Sequence, residues 1–172
     1  MKAALHDGMY CMPLAFAFPE DDFARRVEDE VMIGESLLIA PVYEQNARGR
    51  YVYLPEEMLQ VRVKCSESNR METSVLPAGH HYIPVELDEV VFYVRKGHLL
   101  PLAKNGKKIQ SVADVDFADL RLLAYAPDGA SYEYYTDDGE TKDYDKPEHF
   151  VQITLDADGN AKSDRATVKV EG

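Results

Sequence analysis

The feature that most narrows what this chain can fold into is one apolar run, VMIGESLLIAPV at residues 31–42. It turns at Gly34, carries the polar pair Glu35 and Ser36, and then runs Leu37-Leu38-Ile39-Ala40 without a charge. A short uncharged run bounded by Gly and Pro predicts a strand over residues 36–40 that is buried on both faces. Pro41 ends its pairing because it has no N–H to donate. A strand of that kind needs neighbours to cover it, and most of the remaining sequence supplies strands.

Residues 51–54 (YVYL) form one, stopped by Pro55, and residues 59–65 (LQVRVKC) alternate apolar and polar with the period of a half-buried strand. Residues 81–87 follow, then two pieces within 90–102 on either side of Lys96-Gly97. Residues 103–119 are polar and irregular and mark a boundary. Beyond it, 120–125, 131–135, 150–155 and 166–170 predict four further strands, with Asp128-Gly129 and Asp158-Gly159 as hairpin-type turns. Short strands at regular spacing indicate a mainly β protein, an antiparallel sandwich. Helix is expected only near the start. Residues 1–5 have helix formers ended by Asp7-Gly8, the left-handed cap. Residues 13–18 (PLAFAF) predict a strand, with Leu14, Phe16 and Phe18 on one face. Residues 23–32 predict a helix capped by Asp21 or Asp22, with Phe23, Val27 and Val31 at i, i+4 and i+8.

With 172 residues, 45% hydrophobic and 29% charged, the chain is long enough to bury a core and has the balance of a soluble globular protein. Its net charge of −12 argues against nucleic acid and anionic membrane as partners. No apolar run reaches the length of a membrane span, and the start lacks the pattern of a signal peptide. Two distant cysteines, Cys11 and Cys65, build no disulfide framework, so a reducing, cytoplasmic setting is expected. Eleven tyrosines and no tryptophan suit cross-strand pairing in sheets and, less specifically, a carbohydrate-facing surface.

No side-chain pattern marks a catalytic centre. Glu20-Asp21-Asp22 and Glu28-Asp29-Glu30 could supply the carboxylate pair of glycoside hydrolysis only if two faced one sugar and one stayed protonated. On a turn and on the polar side of a helix they are better explained as a solvated face. Asp137-Asp138-Gly139-Glu140 and Asp143-Tyr144-Asp145 have calcium-ligand chemistry without a calcium-loop spacing. Asp156-Ala157-Asp158-Gly159-Asn160 starts like such a loop, but its Gly comes too early and Thr167 stands where the closing Glu belongs. Turn chemistry accounts for these acids. His6, His80, His81, His98 and His149 share no helix at ligand spacing, and neither Cys lies in a nucleophile motif. Catalytic, cofactor-binding and metal residues are therefore all expected to be none, and no cofactor is implied.

Several segments taken in order nevertheless resemble one family. They are Pro13-Leu14 through Phe18-Pro19-Glu20-Asp21, then Asp29, Met32-Ile33-Gly34, Ser36-Leu37-Leu38-Ile39-Ala40-Pro41-Val42 and Val52-Tyr53-Leu54-Pro55. Val91-Phe92-Tyr93-Val94-Arg95-Lys96-Gly97-His98-Leu99-Leu100-Pro101-Leu102 and Tyr134-Tyr135-Thr136-Asp137-Asp138-Gly139-Glu140-Thr141 continue the match. Together they resemble glycoside hydrolase family 31, the α-glucosidase and α-xylosidase family, in the region after its catalytic (β/α)8 barrel. The resemblance implies that residues 1–34 comprise the end of the barrel's last helix, a strand and a short helix. It implies a proximal C-terminal β-sandwich over 35–105 and the start of a distal β domain over 106–172. It also implies a non-catalytic role in support of the barrel, since the motifs of the family's two catalytic aspartates are not in this sequence. A stand-alone module that binds carbohydrate or a protein is the alternative. The resemblance further implies that Leu14, Phe16, Phe18 and Phe23 pack against the barrel. Without it the chain is expected to self-associate there or along an open sheet edge near 166–170.

Overall fold

The computed structural model describes residues 8–67, 70–104, 109–111, 114–137, 140, 142, 145–163 and, for the backbone alone, 167–171. The helix expected over 1–5 lies outside the described residues, as do Asp138, Gly139, Asp143 and Tyr144. The described residues form two compact units, Met1–Lys96 and Gly97–Gly172.

The first unit holds eight strands: β1 (Cys11–Pro13), β2 (Val31–Ile33), β3 (Leu37–Ile39), β4 (Gly49–Leu54), β5 (Met58–Lys64), β6 (Arg70–Leu76), β7 (Gly79–Pro84) and β8 (Glu89–Arg95). Six pair antiparallel in the order β1-β2-β3-β8-β5-β6, and β4 pairs with β7 as a separate two-stranded ribbon. The organising run is therefore a hairpin. Gly34, at φ +60, turns β2 into β3 so that Met32 faces Leu38, a conformation glycine adopts without steric cost. Leu38 is fully buried, while Leu37 and Ile39 are half-buried. The strand's burial is thus concentrated on one face.

The core joins the two layers. Met32, Leu38, Met58 and Tyr93 from the six-stranded sheet meet Val52, Leu54 and Ile83 from the ribbon, with Leu14 and Ala24 closing one end. In β4 the alternation is direct: Val52 and Leu54 point inward, Tyr51 outward. Residues 8–34, expected as a separate element, contribute β1 and β2 to this sheet.

Two local expectations for this segment are corrected. Residues 13–18 are not a strand: only Cys11–Pro13 pairs, and Leu14–Ala17 forms one α-helical turn, α1. Pro13 has the extended ψ of 148° and stands at the N-cap of that turn, a position at the helix start where a missing N–H costs nothing. Residues 23–32 are not a helix either. Asp21 Oδ1 accepts from the backbone N–H groups of Phe23 (2.8 Å) and Ala24 (3.1 Å), as an N-cap should. The 3-10 turn it starts covers only Ala24–Arg26, and Val27 is already extended. The β-branched Val31 pairs with Ile39 instead, so tertiary pairing outweighs a weak local preference.

The second unit contains β9 (His98–Ala103), β10 (Asp119–Tyr125), β11 (Ala130–Tyr135), β12 (Phe150–Leu155), β13 (Ala161–Ser163) and β14 (Thr167–Glu171). They form two three-stranded sheets, β14-β10-β9 and β11-β12-β13, around Leu99, Leu120, Leu122, Ile153 and Leu155. Among the described residues all the strand pairs are antiparallel except β10 with β14, which is parallel. β9, expected in the proximal sandwich, belongs here. Asp158-Gly159 does turn a hairpin, β12 to β13. Asp128-Gly129 does not: Gly129 N–H bonds Ala126 O in a local turn, but β10 and β11 lie in different sheets.

Gly49 begins the ribbon at φ +155, and a Cβ there would lie 2.4 Å from the Ile83 carbonyl oxygen. Gly49→Ala is expected to cost on the order of 1–3 kcal/mol through backbone strain. A lowered urea midpoint would show it. An unchanged midpoint would mean that β4 and β7 shift freely past each other.

Candidate functional site

Of the acidic runs, Glu20 and Asp22 are exposed, and Asp22 pairs with Arg25 at 3.2 Å. Asp21 caps the 3-10 turn and accepts from the Tyr53 hydroxyl at 2.6 Å. Burial opposes its ionisation, but Tyr53 and the backbone N–H groups of Ala24 and Phe23 outweigh it and hold the carboxyl below its ordinary range. Burial and the bond to Asp21 push the Tyr53 phenol up to about 12.

Glu30 departs from the expected solvated face. Glu28 and Asp29 are exposed, but Glu30 is only 5% exposed. Its Oε1 accepts from the backbone N–H of Tyr53 at 2.8 Å, and its Oε2 is buried without a partner. Burial raises its pKa to about 7, against the pull of the Tyr53 N–H and the Arg50 charge.

Arg50, on β4, holds this region together. Its Nε donates to Tyr51 O (3.0 Å), and its Nη1 to Asp29 O (3.1 Å) and Pro41 O (2.8 Å). Its Nη2 lies 2.7 Å from Asp29 Oδ2 and 3.7 Å from Glu30 Oε1. One guanidinium thus ties the entry to β2, the end of β3 and the ribbon, which a point charge such as lysine could not do. Arg62 makes a comparable link on β5, with Glu89 at 2.8 Å and the Pro84 carbonyl at 3.0 Å.

Beside Arg50 opens a cleft of about 340 Å³, lined among others by Asp29, Tyr43, Glu44, Tyr51 and Tyr82. Tyr51 and Tyr82 are opposed across β4 and β7, with ring centroids 5.2 Å apart and planes at 67°. Arg50 sits over the Tyr43 ring at 5.8 Å, and the Tyr43 hydroxyl donates to Asp29 at 3.2 Å. Further along the ribbon, Tyr53, His80 and exposed Phe23 form a second aromatic group. Neither Arg50 nor this cleft is among the residues that the sequence marks. The signal available was the alternation in RGRYVYL, which puts Tyr51 opposite in sense to buried Val52.

The remaining sequence candidates stay apart. The His80 ring lies tilted against Tyr53, while His81 bonds the Pro77 carbonyl at 2.8 Å, so the pair diverges. Asp156 accepts from the backbone N–H groups of Asp158 and Asn160 and from the Asn160 amide, which lower its pKa; it closes a turn. Among the described residues no three His, Cys, Asp or Glu side chains are placed to hold a metal ion.

Leu14 is fully buried and Phe18 packs beneath the Arg95 guanidinium at 4.7 Å, but Phe16 and Phe23 are 63% and 56% exposed. Of the four side chains expected to need a barrel as cover, two are covered within this unit.

Fold and site define a class: a mainly antiparallel, layered β domain whose charged residues fasten a ribbon to a sheet. The model of the glycosyl hydrolase family 31 C-terminal domain matches residues 8–100, and the chain belongs to that family. It is similar to neutral alpha-glucosidase AB of Mus musculus, 29% identical over 81% of this chain and 14% of that protein. The alpha-xylosidase of Saccharolobus solfataricus is 30% identical over 85% of this chain and 19% of its own length. The chain therefore spans less than a fifth of these relatives. Among solved structures, the Gracilariopsis lemaneiformis alpha-1,4-glucan lyase shares the fold with a TM-score of 0.73 and 21% identity, covering 99% of this chain and 19% of that one. The Xanthomonas citri GH31 alpha-xylosidase does so with a TM-score of 0.68 and 20% identity, over 99% and 18%.

Proposed function

We propose that this chain is the non-catalytic C-terminal region of an α-glucosidase-type hydrolase and that it supports the catalytic barrel. The family match over residues 8–100 carries this reading. Phe16 and Phe23, with Met9 and Tyr10 nearby in sequence, are large apolar groups left exposed at the start of the unit. Burying each large side chain is worth about 1.5–3 kcal/mol, so a barrel packed on this segment would gain stability and have its adjoining loops held in place. A reducing, cytoplasmic setting is part of the proposal, supported by the exposed free thiols Cys11 and Cys65.

The experiment has two arms. The isolated chain should not hydrolyse p-nitrophenyl α-glucoside, because glycoside cleavage needs two placed carboxyl groups. In a full-length enzyme carrying this region, Phe16→Ser with Phe23→Ser should lower the melting temperature and kcat and leave KM nearly unchanged. Turnover by the isolated chain that vanishes on substituting one of its Asp or Glu residues would overturn the reading. So would a double variant indistinguishable from the parent enzyme.

A further inference from the structure

The outward face of the β4–β7 ribbon carries more exposed aromatic surface than the cross-strand Tyr51–Tyr82 pair uses. Val52, Leu54 and Ile83 supply its buried side, yet Tyr51, Tyr82 and the adjacent Tyr43 are 73%, 55% and 67% exposed. The rings converge on one cleft with Asp29 at its edge. We propose that this cleft binds a hexose unit of a neutral oligosaccharide, with the tyrosine rings against the sugar's C–H face and the Asp29 carboxylate accepting from its hydroxyls. The proposal goes beyond the supporting role above and stands without it.

Three observations select this ligand class. The first is size: about 340 Å³ is at the small end of ligand clefts, roughly 300–1,000 Å³. The second is the pairing of surfaces. Tyrosine offers a rigid apolar body with a polar tip, and a pyranose likewise has apolar C–H patches ringed by hydroxyls. Because Tyr51 and Tyr82 meet at 67°, they form an angled floor and wall instead of a flat plate. The third is charge. The Arg50 donors are taken up by the carbonyls of Tyr51, Asp29 and Pro41 and by the Asp29 carboxylate, so they do not make an anion site. The Asp29 side chain keeps 40% of its surface exposed, and Glu44 also lines the cleft. A phosphate or a sugar acid is repelled, whereas a neutral polyol can donate to a carboxylate already held in place.

The test is a titration of the isotopically labelled 172-residue chain with maltose, isomaltose and cellobiose, followed by amide chemical shifts, with glucuronate as the charged control. Saturable shifts at Asp29, Tyr43, Tyr51 and Tyr82 are expected for at least one neutral disaccharide, with glucuronate binding at least roughly tenfold more weakly. Tyr51→Phe should retain binding, because the ring remains. Tyr51→Ser and the Tyr51→Ser/Tyr82→Ser pair should weaken it by roughly tenfold or more, in spectra that otherwise match the parent. The proposal fails if no neutral sugar shifts these amides, if the shifts do not saturate, if Tyr51→Ser binds as the parent does, or if glucuronate binds as well as the best of the neutral disaccharides. Any of these outcomes leaves the barrel-supporting role untouched.

Discussion

Glu30→Gln is expected to make the first unit more stable above neutral pH, by on the order of 3 kcal/mol, and to flatten its dependence on pH. In the unfolded chain the carboxyl ionises near its ordinary 4.5, but in the folded unit not until about 7. Between those values the native state binds the extra proton, so stability is fully present below about 4.5, falls as pH rises through about 7, and then levels off. A rise from 4.5 to about 7 is worth roughly 3 kcal/mol. A Gln at this position cannot ionise, and its carboxamide oxygen can still accept from the Tyr53 N–H. Urea unfolding at pH 5 and pH 8 checks this: the variant should resemble the parent at pH 5 and exceed it at pH 8. Equal midpoint differences at the two pH values would show that Glu30 does not titrate in this range.

Arg50→Met should have the largest cost of any single change considered. It leaves the Asp29 and Pro41 carbonyls, the Asp29 carboxylate and, above neutral pH, a buried Glu30 charge without their partner. The Asp29 carboxylate is partly solvated, so the scale is set by the acceptors left without a donor, about 1–3 kcal/mol each where water does not replace it. Arg50→Lys should recover only part of the loss, because an ammonium cannot span three carbonyl groups and a carboxylate. Combined with Glu30→Gln, Arg50→Met should cost measurably less than alone, and a double-mutant cycle gives the coupling directly. A methionine variant with the parent's midpoint would mean that water replaces the guanidinium at no cost.

The strands were legible wherever one face is buried. β4, β10 and β12 alternate in sequence because they alternate in space, and their bounds follow closely. β6 was not anticipated. Its residues, RMETSVL, are mostly exposed at the edge of the six-stranded sheet, so its pairing with β5 sets its conformation and its own apolar pattern does not. The turn at Asp128-Gly129 was legible as a turn, but whether the next strand folds back is a non-local matter. The one-turn α1 imitated a strand because period two and a single helical turn cannot be told apart over four residues. The polar site was the least legible part. Glu30 sits in an acidic run that resembles any solvated stretch, and its burial depends on Arg50, twenty positions on, and on the Tyr53 amide. Family resemblance did carry to the fold, because the motif residues Leu14, Met32, Leu38, Val52, Leu54 and Tyr93 are the ones that meet in the core.

The parallel pairing of β14 with β10 has a consequence for how the chain matures during synthesis. Every strand pair of the first unit closes within residues 11–95, so that unit can fold while the ribosome is still translating the remainder. Both units wait for a distant partner: Leu37 pairs with Val94 in the first and Asp119 with Thr167 in the second, separations that make closure slow. Until then the outer side of β10 offers its unpaired amides to other nascent chains. A chaperone or a neighbouring polysome would meet the second unit in this form after the first has closed.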